Sequence, residues 1–256
     1  MKPKKSLGQN FLTSIPARIA IVNAGNLTKE DKVLEIGPGK GFLTQGLLDT
    51  GAQVVALEKD KELLPILTEK FSSYKNFTLI EGDALTYEPP KDSYKLIANI
   101  PYYITGAILE RYLSHKNQPT QMVVLVQKEV AERVVARDGK ESILSLAVKV
   151  YGEPKIVYRV NKGSFNPVPS VDSAVLSIEN ISRKNFTNEK HEEIFFKLIK
   201  SGFAHKRKFL ISNLKEVFPS INFIPLFQAQ NLSEKARAED VTLALWLQLS
   251  LNIATQ

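Results

Sequence analysis

The stretch that decides the fold is Lys32-Val33-Leu34-Glu35-Ile36-Gly37-Pro38-Gly39-Lys40-Gly41. Its first half is mostly apolar and predicts a strand, and its second half is a glycine loop from which a helix should run from about Gly41 to Asp49. Glycines at such a turn allow a ligand to approach the backbone closely. The stretch therefore predicts the first strand and the ligand-binding turn of an open α/β sheet.

Strand-like and helix-like runs alternate through the first two-thirds of the chain, which predicts a parallel, doubly wound, Rossmann-like sheet. A helical run covers Glu62–Phe71, and two late strands with no long helix between them predict an antiparallel edge. The further predicted strands are Gln53–Leu57, Phe77–Ile80, Tyr94–Ala98 and Met122–Val126, followed by Ile156–Val160 and Ala174–Ile178 at the antiparallel edge.

After about residue 182 the pattern becomes helical. Apolar residues fall at helical spacing over Ile194–Phe203 and again over Phe209–Leu214, and Ser233 is a candidate cap of a further helix. Val241–Leu251 is apolar on most sides, as expected of a packed helix. We therefore expect a catalytic α/β domain over residues 1–182 and a small all-helical domain over residues 183–256.

Composition narrows the classes of function. The net charge of +7 and pI near 9.3 favour a polyanionic partner, although a basic surface alone is weak evidence. The absence of cysteine excludes disulfides, thiolate metal sites and cysteine nucleophiles, including base methylation through a thiol adduct. The three histidines lack ligand spacing, so no metal is expected. The basic N-terminus and short apolar runs predict a cytoplasmic protein without a membrane segment.

Three features at successive strand ends indicate a nucleoside cofactor. The glycine loop carries Phe42 where a dinucleotide enzyme requires glycine, so a nicotinamide oxidoreductase is disfavoured. Glu58 closes the second strand, where an acid binds ribose hydroxyls, and Asp83 follows the third strand, where a carboxylate can accept from an adenine amino group. A tight turn, a solvated acid and an Asx-turn are the plain alternatives. Together the features favour S-adenosylmethionine, the common nucleoside cofactor without a pyrophosphate.

Asn99-Ile100-Pro101-Tyr102 follows the fourth strand. The Asn99 side-chain oxygen and the Ile100 carbonyl can accept the two hydrogens of an exocyclic amino group, and Tyr102 can stack on an aromatic base. This pattern predicts methyl transfer to the N6 atom of adenine; an ordinary turn is the alternative. In Phe165-Asn166-Pro167-Val168-Pro169, Phe165 could cover the other face of an extruded base or serve as a buried loop anchor.

At this point the chain resembles the ribosomal RNA adenine N6-dimethyltransferases of the KsgA type over nearly its full length. The segments that carry the resemblance are Lys4–Leu12, Glu35–Gly41, Asn99–Tyr102, Phe165–Pro169, Val171–Val175 and Arg237–Glu239.

The resemblance implies a monomeric enzyme of ribosome biogenesis. Its expected activity is the transfer of four methyl groups to two adjacent adenines near the 3′ end of 16S rRNA in the small ribosomal subunit. Asn99, Tyr102 and Phe165 would hold the adenine. The residues implied to contact S-adenosylmethionine are Asn10, Leu12, Gly37, Glu58, Asp83 and Asn99.

Two departures keep alternatives open. Tyr103 stands where the family usually has Asn, and Ile100 replaces the usual Leu. Ile is also found at this position in the related Erm enzymes, which methylate 23S rRNA, so an Erm-type activity is one alternative. A non-catalytic RNA-binding assembly or transcription factor on the same scaffold is another.

A basic cluster lies on a predicted helix of the second domain. Lys206, Arg207 and Lys208 follow His205 there, and the cluster suits docking to an RNA backbone, although a solvated helix face is the plain alternative. The N-terminal lysines Lys2, Lys4 and Lys5 either do the same or fray.

Overall fold

The computed structural model describes residues 3–4 and 7–255. By its contacts the chain divides into two compact units. The first unit comprises the described residues through Glu132 together with Gly152–Ile181, and the second comprises Arg133–Tyr151 and the described chain from Ser182 onward. Residues 133–151 therefore group with the later helices, and the predicted functional boundary after residue 182 stays a prediction.

The strands and helices of the described chain have the following bounds. The strands are β1 Phe11–Leu12, β2 Lys32–Ile36, β3 Gln53–Glu58, β4 Phe77–Glu81, β5 Lys95–Asn99, β6 Gln121–Gln127, β7 Glu153–Val160, β8 Phe165–Asn166 and β9 Ser173–Glu179. The helices are α1 Ile15–Gly25, α2 Phe42–Leu48, α3 Leu64–Lys70, α4 Thr105–Ser114, α5 Lys128–Val135, α6 Ile143–Lys149, α7 Glu189–Gly202, α8 Leu210–Val217, α9 Phe223–Ala229 and α10 Leu243–Ala254.

Seven strands of the first unit form one sheet in the order β4-β3-β2-β5-β6-β9-β7. The pairs from β4 to β6 are parallel, whereas β9 pairs antiparallel with both β6 and β7. The central strands are buried along most of their length, as expected of strands covered on both faces. The Rossmann-like class and the antiparallel edge predicted from sequence are confirmed.

The order of the strands places the functional loops at one edge. β2 lies between β3 and β5, so the chain direction across the sheet reverses at β2, and open α/β sheets bind ligands in the crevice at such a point. The carboxyl ends of parallel neighbours meet there, and Ile36 pairs with Leu57 on one side and with Ala98 on the other. The glycine loop, Glu58 and Asn99 consequently leave the sheet side by side.

Helix α1 and the short β1–β8 ladder were not predicted. Ser14 caps α1 by accepting a hydrogen bond from the Ala17 amide nitrogen at 3.4 Å, and Pro16 occupies the first turn, where its missing N–H costs nothing. In the ladder, Phe11 pairs with Asn166 and Leu12 with Phe165. This ladder fixes the N-terminal segment to the loop that precedes β9.

The later helices form the core of the second unit. Asn188 caps α7 and Thr242 caps α10, and these two helices bury Phe195, Leu198 and Trp246. The two helices are also joined by a hydrogen bond of 2.9 Å between the His191 ring Nε2 and the Ser250 hydroxyl. Within the described chain, no helix is long and apolar enough to cross a membrane.

Two local predictions in this unit were wrong. Ser233 caps no helix: its hydroxyl accepts a hydrogen bond from the Lys235 amide nitrogen within a turn, and the next α-helix, α10, is capped by Thr242. The segment His205–Lys208 lies in a turn between α7 and α8, not on a helix. The Asn213 side chain fixes this turn by donating to the Gly202 and His205 carbonyls at 2.6 and 3.2 Å.

Glu35 is a buried acid in the centre of the sheet. It is 1% exposed, and burial together with the nearby Glu58 charge raises the pKa of its carboxyl to about 8. The folded chain therefore retains a proton at pH values where the unfolded chain, with an ordinary Glu pKa, has released it. The resulting contribution to stability is present at low pH and is lost as the pH rises toward 8.

We expect Glu35→Gln to remove this pH dependence, because Gln has nearly the same shape and never ionises. The free energy of unfolding, measured by urea denaturation between about pH 5 and pH 9, should shift in favour of the variant as the pH rises. Glu69→Gln, at an exposed position of α3, is the control and should follow the wild type. A difference between Glu35→Gln and wild type that does not change with pH would contradict the assignment.

Candidate active site

A cleft with about 800 Å³ of empty volume, part of it open to solvent, lies at the carboxyl edge of the first unit's sheet. It is formed by the N-terminal segment, the glycine loop and the segments that follow β3, β4 and β5. Most of the predicted functional residues meet in it. Its lining includes Asn10, Gly37, Glu58, Asp83, Asn99 and Tyr102.

Two glycines of the loop have different physical roles. Gly37 has a φ of +66°, and a Cβ at this position would meet nothing within 4 Å, so its backbone borders open space. Gly41 has a φ of +74°, and a Cβ there would lie 2.5 Å from the Phe71 ring. Gly37 therefore leaves room for a ligand, while Gly41 allows α2 to begin close against α3.

Glu58 is held in place by backbone groups. Its Oε1 accepts from the Asp60 amide nitrogen at 2.8 Å and its Oε2 from the Gly39 amide nitrogen at 3.2 Å. Burial raises the pKa of this carboxyl, and the backbone hydrogen bonds oppose that rise. A carboxylate has about four acceptor positions, so about two remain for hydroxyl groups of a ligand.

Asp60 is a buried acid whose role was not predicted. It is 3% exposed, and its two oxygens accept hydrogen bonds of 2.7 Å from the Lys4 ammonium and from the Gln9 side chain. Burial pushes the pKa of Asp60 upward, but these partners outweigh it and hold the pKa below the usual value. Asp60 thus binds the N-terminal segment with its side chain and Glu58 with its backbone.

This arrangement gives Lys4 a structural partner, which the sequence did not indicate. The Lys4 ammonium also lies 2.9 Å from a carboxyl oxygen of Glu62. It is therefore paired with acids rather than frayed. Lys2 and Lys5, considered with it from sequence, lie outside the described residues.

Asp83 forms the Asx-turn that the sequence offered as an alternative, and its contact with a cofactor stays a prediction. Its Oδ1 accepts from the Leu85 amide nitrogen at 2.9 Å, which is an Asx-turn, and its Oδ2 accepts from the Lys59 ammonium at 2.8 Å. The hydrogen bond from Lys59 is the main reason that the pKa of Asp83 is lowered. Asp83 nevertheless lines the cleft and can accept a further hydrogen bond there.

Asn99 is oriented by the N-terminal segment. Its Nδ2 donates to the Asn10 carbonyl at 3.1 Å, which identifies the other side-chain atom, Oδ1, as an acceptor. Tyr102 lies in a short 3₁₀ turn, and its hydroxyl is 2.7 Å from the Ser173 hydroxyl on β9. The polar ends of both side chains are therefore fixed before any base arrives.

Phe165 does not line the cleft. Its ring is 3% exposed and belongs to the hydrophobic core cluster, where β8 pairs with β1. In this structure it is a buried anchor, the alternative that the sequence left open. Contact of Phe165 with a base stays a prediction.

A second cavity, with about 790 Å³ of empty volume, adjoins the cleft. The two share Phe11, Gly37, Gly39 and Asn99 in their linings. Leu12, predicted to contact the cofactor, lines this second cavity. So does Glu35, whose buried Oε2 atom has no hydrogen-bond partner within the described chain.

The basic cluster of the second unit is exposed to solvent. Lys208 lies 2.8 Å and His205 lies 3.5 Å from the carboxylate oxygens of Glu216, so part of its charge is paired. Across the described residues, Lys206 and Arg207 have no ion-pair partner. Their charge remains available to a polyanion.

Comparison with known proteins agrees with this geometry. A family model described as "Ribosomal RNA adenine dimethylase" matches residues 1–255. A protein of Dehalococcoides mccartyi strain CBDB1 named "Ribosomal RNA small subunit methyltransferase A" is 41% identical, covering 99% of this chain and 89% of that protein. The protein of the same name from Fusobacterium nucleatum is 38% identical, with 97% and 96% coverage.

Solved structures lead to the same class. A dimethyladenosine transferase from Plasmodium falciparum superposes with a TM-score of 0.84 at 26% identity, covering 96% of this chain and 98% of that one. The 23S rRNA methyltransferase ErmE gives a TM-score of 0.80 at 27% identity, with 94% and 98% coverage. Because the family model spans nearly the whole chain, the protein belongs to the ribosomal RNA adenine dimethylase family and is a methyltransferase of that family.

Proposed function

We propose that this enzyme uses S-adenosylmethionine to dimethylate the N6 atoms of two adjacent adenines near the 3′ end of 16S rRNA, in the small ribosomal subunit, as a step of ribosome biogenesis. The observation that carries the proposal is the position of Asn99. It lies in the wall shared by the two cavities, and its side-chain amide is already engaged by the Asn10 carbonyl. Its oxygen is thereby presented as an acceptor.

The residues of the site fit the proposed cofactor. The remaining acceptor positions of Glu58 suit two ribose hydroxyls, and Asp83 suits the adenine amino group. At the other end, the unpartnered Glu35 oxygen can accept a hydrogen bond from the ammonium of an amino-acid group in the second cavity, which Leu12 also lines. When bound, S-adenosylmethionine supplies a methyl group on a positively charged sulfur.

The chain's own residues activate the target nitrogen by accepting hydrogen bonds from its N–H groups. The N6 lone pair of adenine is delocalised into the ring, so hydrogen bonds to the Asn99 oxygen and the Ile100 carbonyl are needed to free it. The Tyr102 ring, fixed through Ser173, stacks on the base and contributes about 1–3 kcal/mol. The methylated nitrogen is acidic enough to lose its proton to water, so positioning supplies most of the rate.

Phe165 can contact the base only if its ring moves. In the described conformation its ring is buried, so contact with the second face of the base requires the ring to leave the core. The exposed cluster Lys206, Arg207 and Lys208 is proposed to dock the RNA backbone. We propose further that the enzyme acts as a cytoplasmic monomer.

A second candidate function is Erm-type methylation of 23S rRNA. Ile100 and the similarity to the ErmE structure favour it, whereas the names of the curated relatives favour the small subunit. Labelled methyl incorporation into unmethylated small subunits and into protein-free 23S rRNA separates the two. Incorporation into 23S rRNA alone would overturn our proposal in favour of the second candidate.

We expect Asn99→Ala to lower the methylation rate about 100-fold or more, because it removes a fixed acceptor from the reacting group. RNA affinity should stay within about twofold of wild type, since Asn99 is proposed to contact the N6 amino group of the adenine and not the phosphate backbone of the RNA. Single-turnover methylation and a filter-binding titration measure the two quantities. Asn117→Ala, before β6, is the control, and an equal loss of RNA binding in Asn99→Ala would refute the role.

We expect Asp60→Asn to weaken S-adenosylmethionine binding about tenfold, because it loses a charged contact to Lys4 and so loosens the segment that carries Asn10. Calorimetry of cofactor binding measures the effect. The matched control is Asp92→Asn, which breaks a solvent-exposed pair with Lys32. Equal affinities in the two variants would show that the Asp60 contacts do not position the cofactor site.

We expect the triple change of Lys206–Lys208 to Gln to weaken RNA binding. The slope of log affinity against log salt should become shallower by about 2, since up to three phosphate contacts are lost. Cofactor affinity should not change. The control removes the same charge from exposed positions of the same unit, Lys184, Lys200 and Lys235. If the control changes the slope as much, the effect is one of net charge rather than of docking.

A further inference from the structure

Three cations from three separate segments lie at the second cavity of the first unit: Lys40 and Lys70 line it, and Arg18 lies against Phe42 of its lining. Arg18 comes from α1, Lys40 from the glycine loop and Lys70 from the end of α3. We call these three residues the cationic rim.

The three side chains are anchored by contacts that do not use up their charge. The Arg18 guanidinium lies 4.7 Å from the centre of the Phe42 ring, and the Lys40 ammonium lies 4.9 Å from the centre of the Phe11 ring. The Lys70 ammonium donates to the Lys40 and Gly41 carbonyls at 3.0 and 3.3 Å. The rim is therefore an ordered arrangement.

The rim lacks a neutralising partner. In the part of the chain that the structure describes, none of the three cations forms an ion pair with a carboxylate. Burial lowers the pKa of Lys70, and the positive charge of Arg18 lowers it further. The Glu35 carboxyl acts electrostatically on Lys70, but it stays largely protonated at neutral pH because its pKa is raised to about 8. Arg18 and Lys70 are like charges held close together, and an anion would relieve their repulsion.

The position of the rim indicates which anion it serves. Lys40 and Lys70 line the second cavity, which shares Asn99 with the cleft, so the rim lies beside the residue proposed to hold the target amino group. Lys40, Lys70 and the neighbouring Thr13 and Asn166 are exposed, which suits a long polymer passing over the surface. A strand that places one base at Asn99 must bring its own phosphates to the surrounding surface.

We propose that Arg18, Lys40 and Lys70 bind backbone phosphates of the rRNA strand next to the target adenine. The inference rests on the proposed function for the identity of the polymer. It adds a second set of phosphate contacts, carried by the catalytic unit itself and separate from Lys206–Lys208. Phosphate contacts set the register of a strand without reading its sequence, so the rim positions the target and does not select the base.

The test is a triple variant, Arg18→Gln, Lys40→Gln and Lys70→Gln, titrated with unmethylated small ribosomal subunits over a series of salt concentrations. Each lost contact to a single strand should make the slope of log affinity against log salt shallower by about 0.7, or about 2 for the three. RNA affinity at low salt should fall about tenfold or more. The affinity for S-adenosylmethionine without RNA should fall much less than the affinity for RNA.

The chain offers a matched control for net charge. Lys29, Lys75 and Lys91 are exposed and precede β2, β4 and β5, at the amino edge of the same sheet. Their triple change to Gln removes the same charge at the end of the strands opposite to the cleft. It should leave the slope of log affinity against log salt nearly unchanged. A slope change equal to that of the rim variant would overturn the proposal.

Single changes guard against a folding defect, because Lys70 holds carbonyls of the glycine loop. Lys40→Gln alone, at an exposed position, should make the slope shallower by about 0.7, and Lys40→Arg should restore it. An unchanged slope in Lys40→Gln and in the triple variant overturns the proposal. So does a loss of S-adenosylmethionine affinity as large as the loss of RNA affinity, since the rim would then serve the cofactor's carboxylate.

Failure of the rim and failure of the proposed function give different results. If wild-type enzyme incorporates no labelled methyl into small subunits, the proposed function is wrong, whatever the salt dependence. If it methylates them while the rim variant keeps the wild-type slope, only the rim is wrong.

Discussion

The rest of the site depends on the hydrogen bonds that fix the Glu58 carboxylate. Burying a carboxylate costs free energy unless its oxygens accept hydrogen bonds. Here the two oxygens accept from the amide nitrogens of Gly39 and Asp60, at N···O distances of 3.2 and 2.8 Å. The requirement fixes the glycine loop after β2 relative to the end of β3. Through Asp60 it also fixes the N-terminal segment, whose Asn10 carbonyl orients Asn99. Two buried acids, Glu58 and Asp60, thus connect the proposed cofactor site with the proposed target site.

The sheet brings the proposed cofactor and target sites together at one edge. Parallel strands place their carboxyl ends at one edge, and the reversal of strand order at β2 opens a crevice there. Residues from distant parts of the chain, such as Asn10 and Asn99, consequently lie within hydrogen-bond distance. Asn99 is the last residue of the buried strand β5, which limits how far its acceptor atom can move.

The sequence predicted the elements whose signal is local and missed those that depend on distant partners. β2 was predicted with the bounds found, because an apolar run ending in a glycine loop has few alternatives. Helix α1 was not predicted because its apolar residues form no single stripe: Ile15 and Ile19 are 56% and 50% exposed. The sequence placed His205–Lys208 on a helix, but α7 ends at Gly202, and the Asn213 side chain holds the following turn by donating to the Gly202 and His205 carbonyls. Asp60 gave no signal, since its partner Lys4 is 56 positions away in the chain.

Charge distribution at this edge explains how one surface can serve a nucleoside and a polyanion. The acids at this edge of the sheet would repel RNA phosphates if they were unbalanced. Asp83, which lines the cleft, is paired with Lys59, and the nearby Asp60 is paired with Lys4. Burial favours the neutral form of Glu35, so this acid also carries little negative charge at neutral pH. The cations of the rim are therefore not consumed by these acids. Burial also raises the pKa of Glu58, the other acid that lines the cleft. Because Asp83 and Asp60 are paired with lysines of their own, the positive charge of the rim stays available to a phosphate backbone.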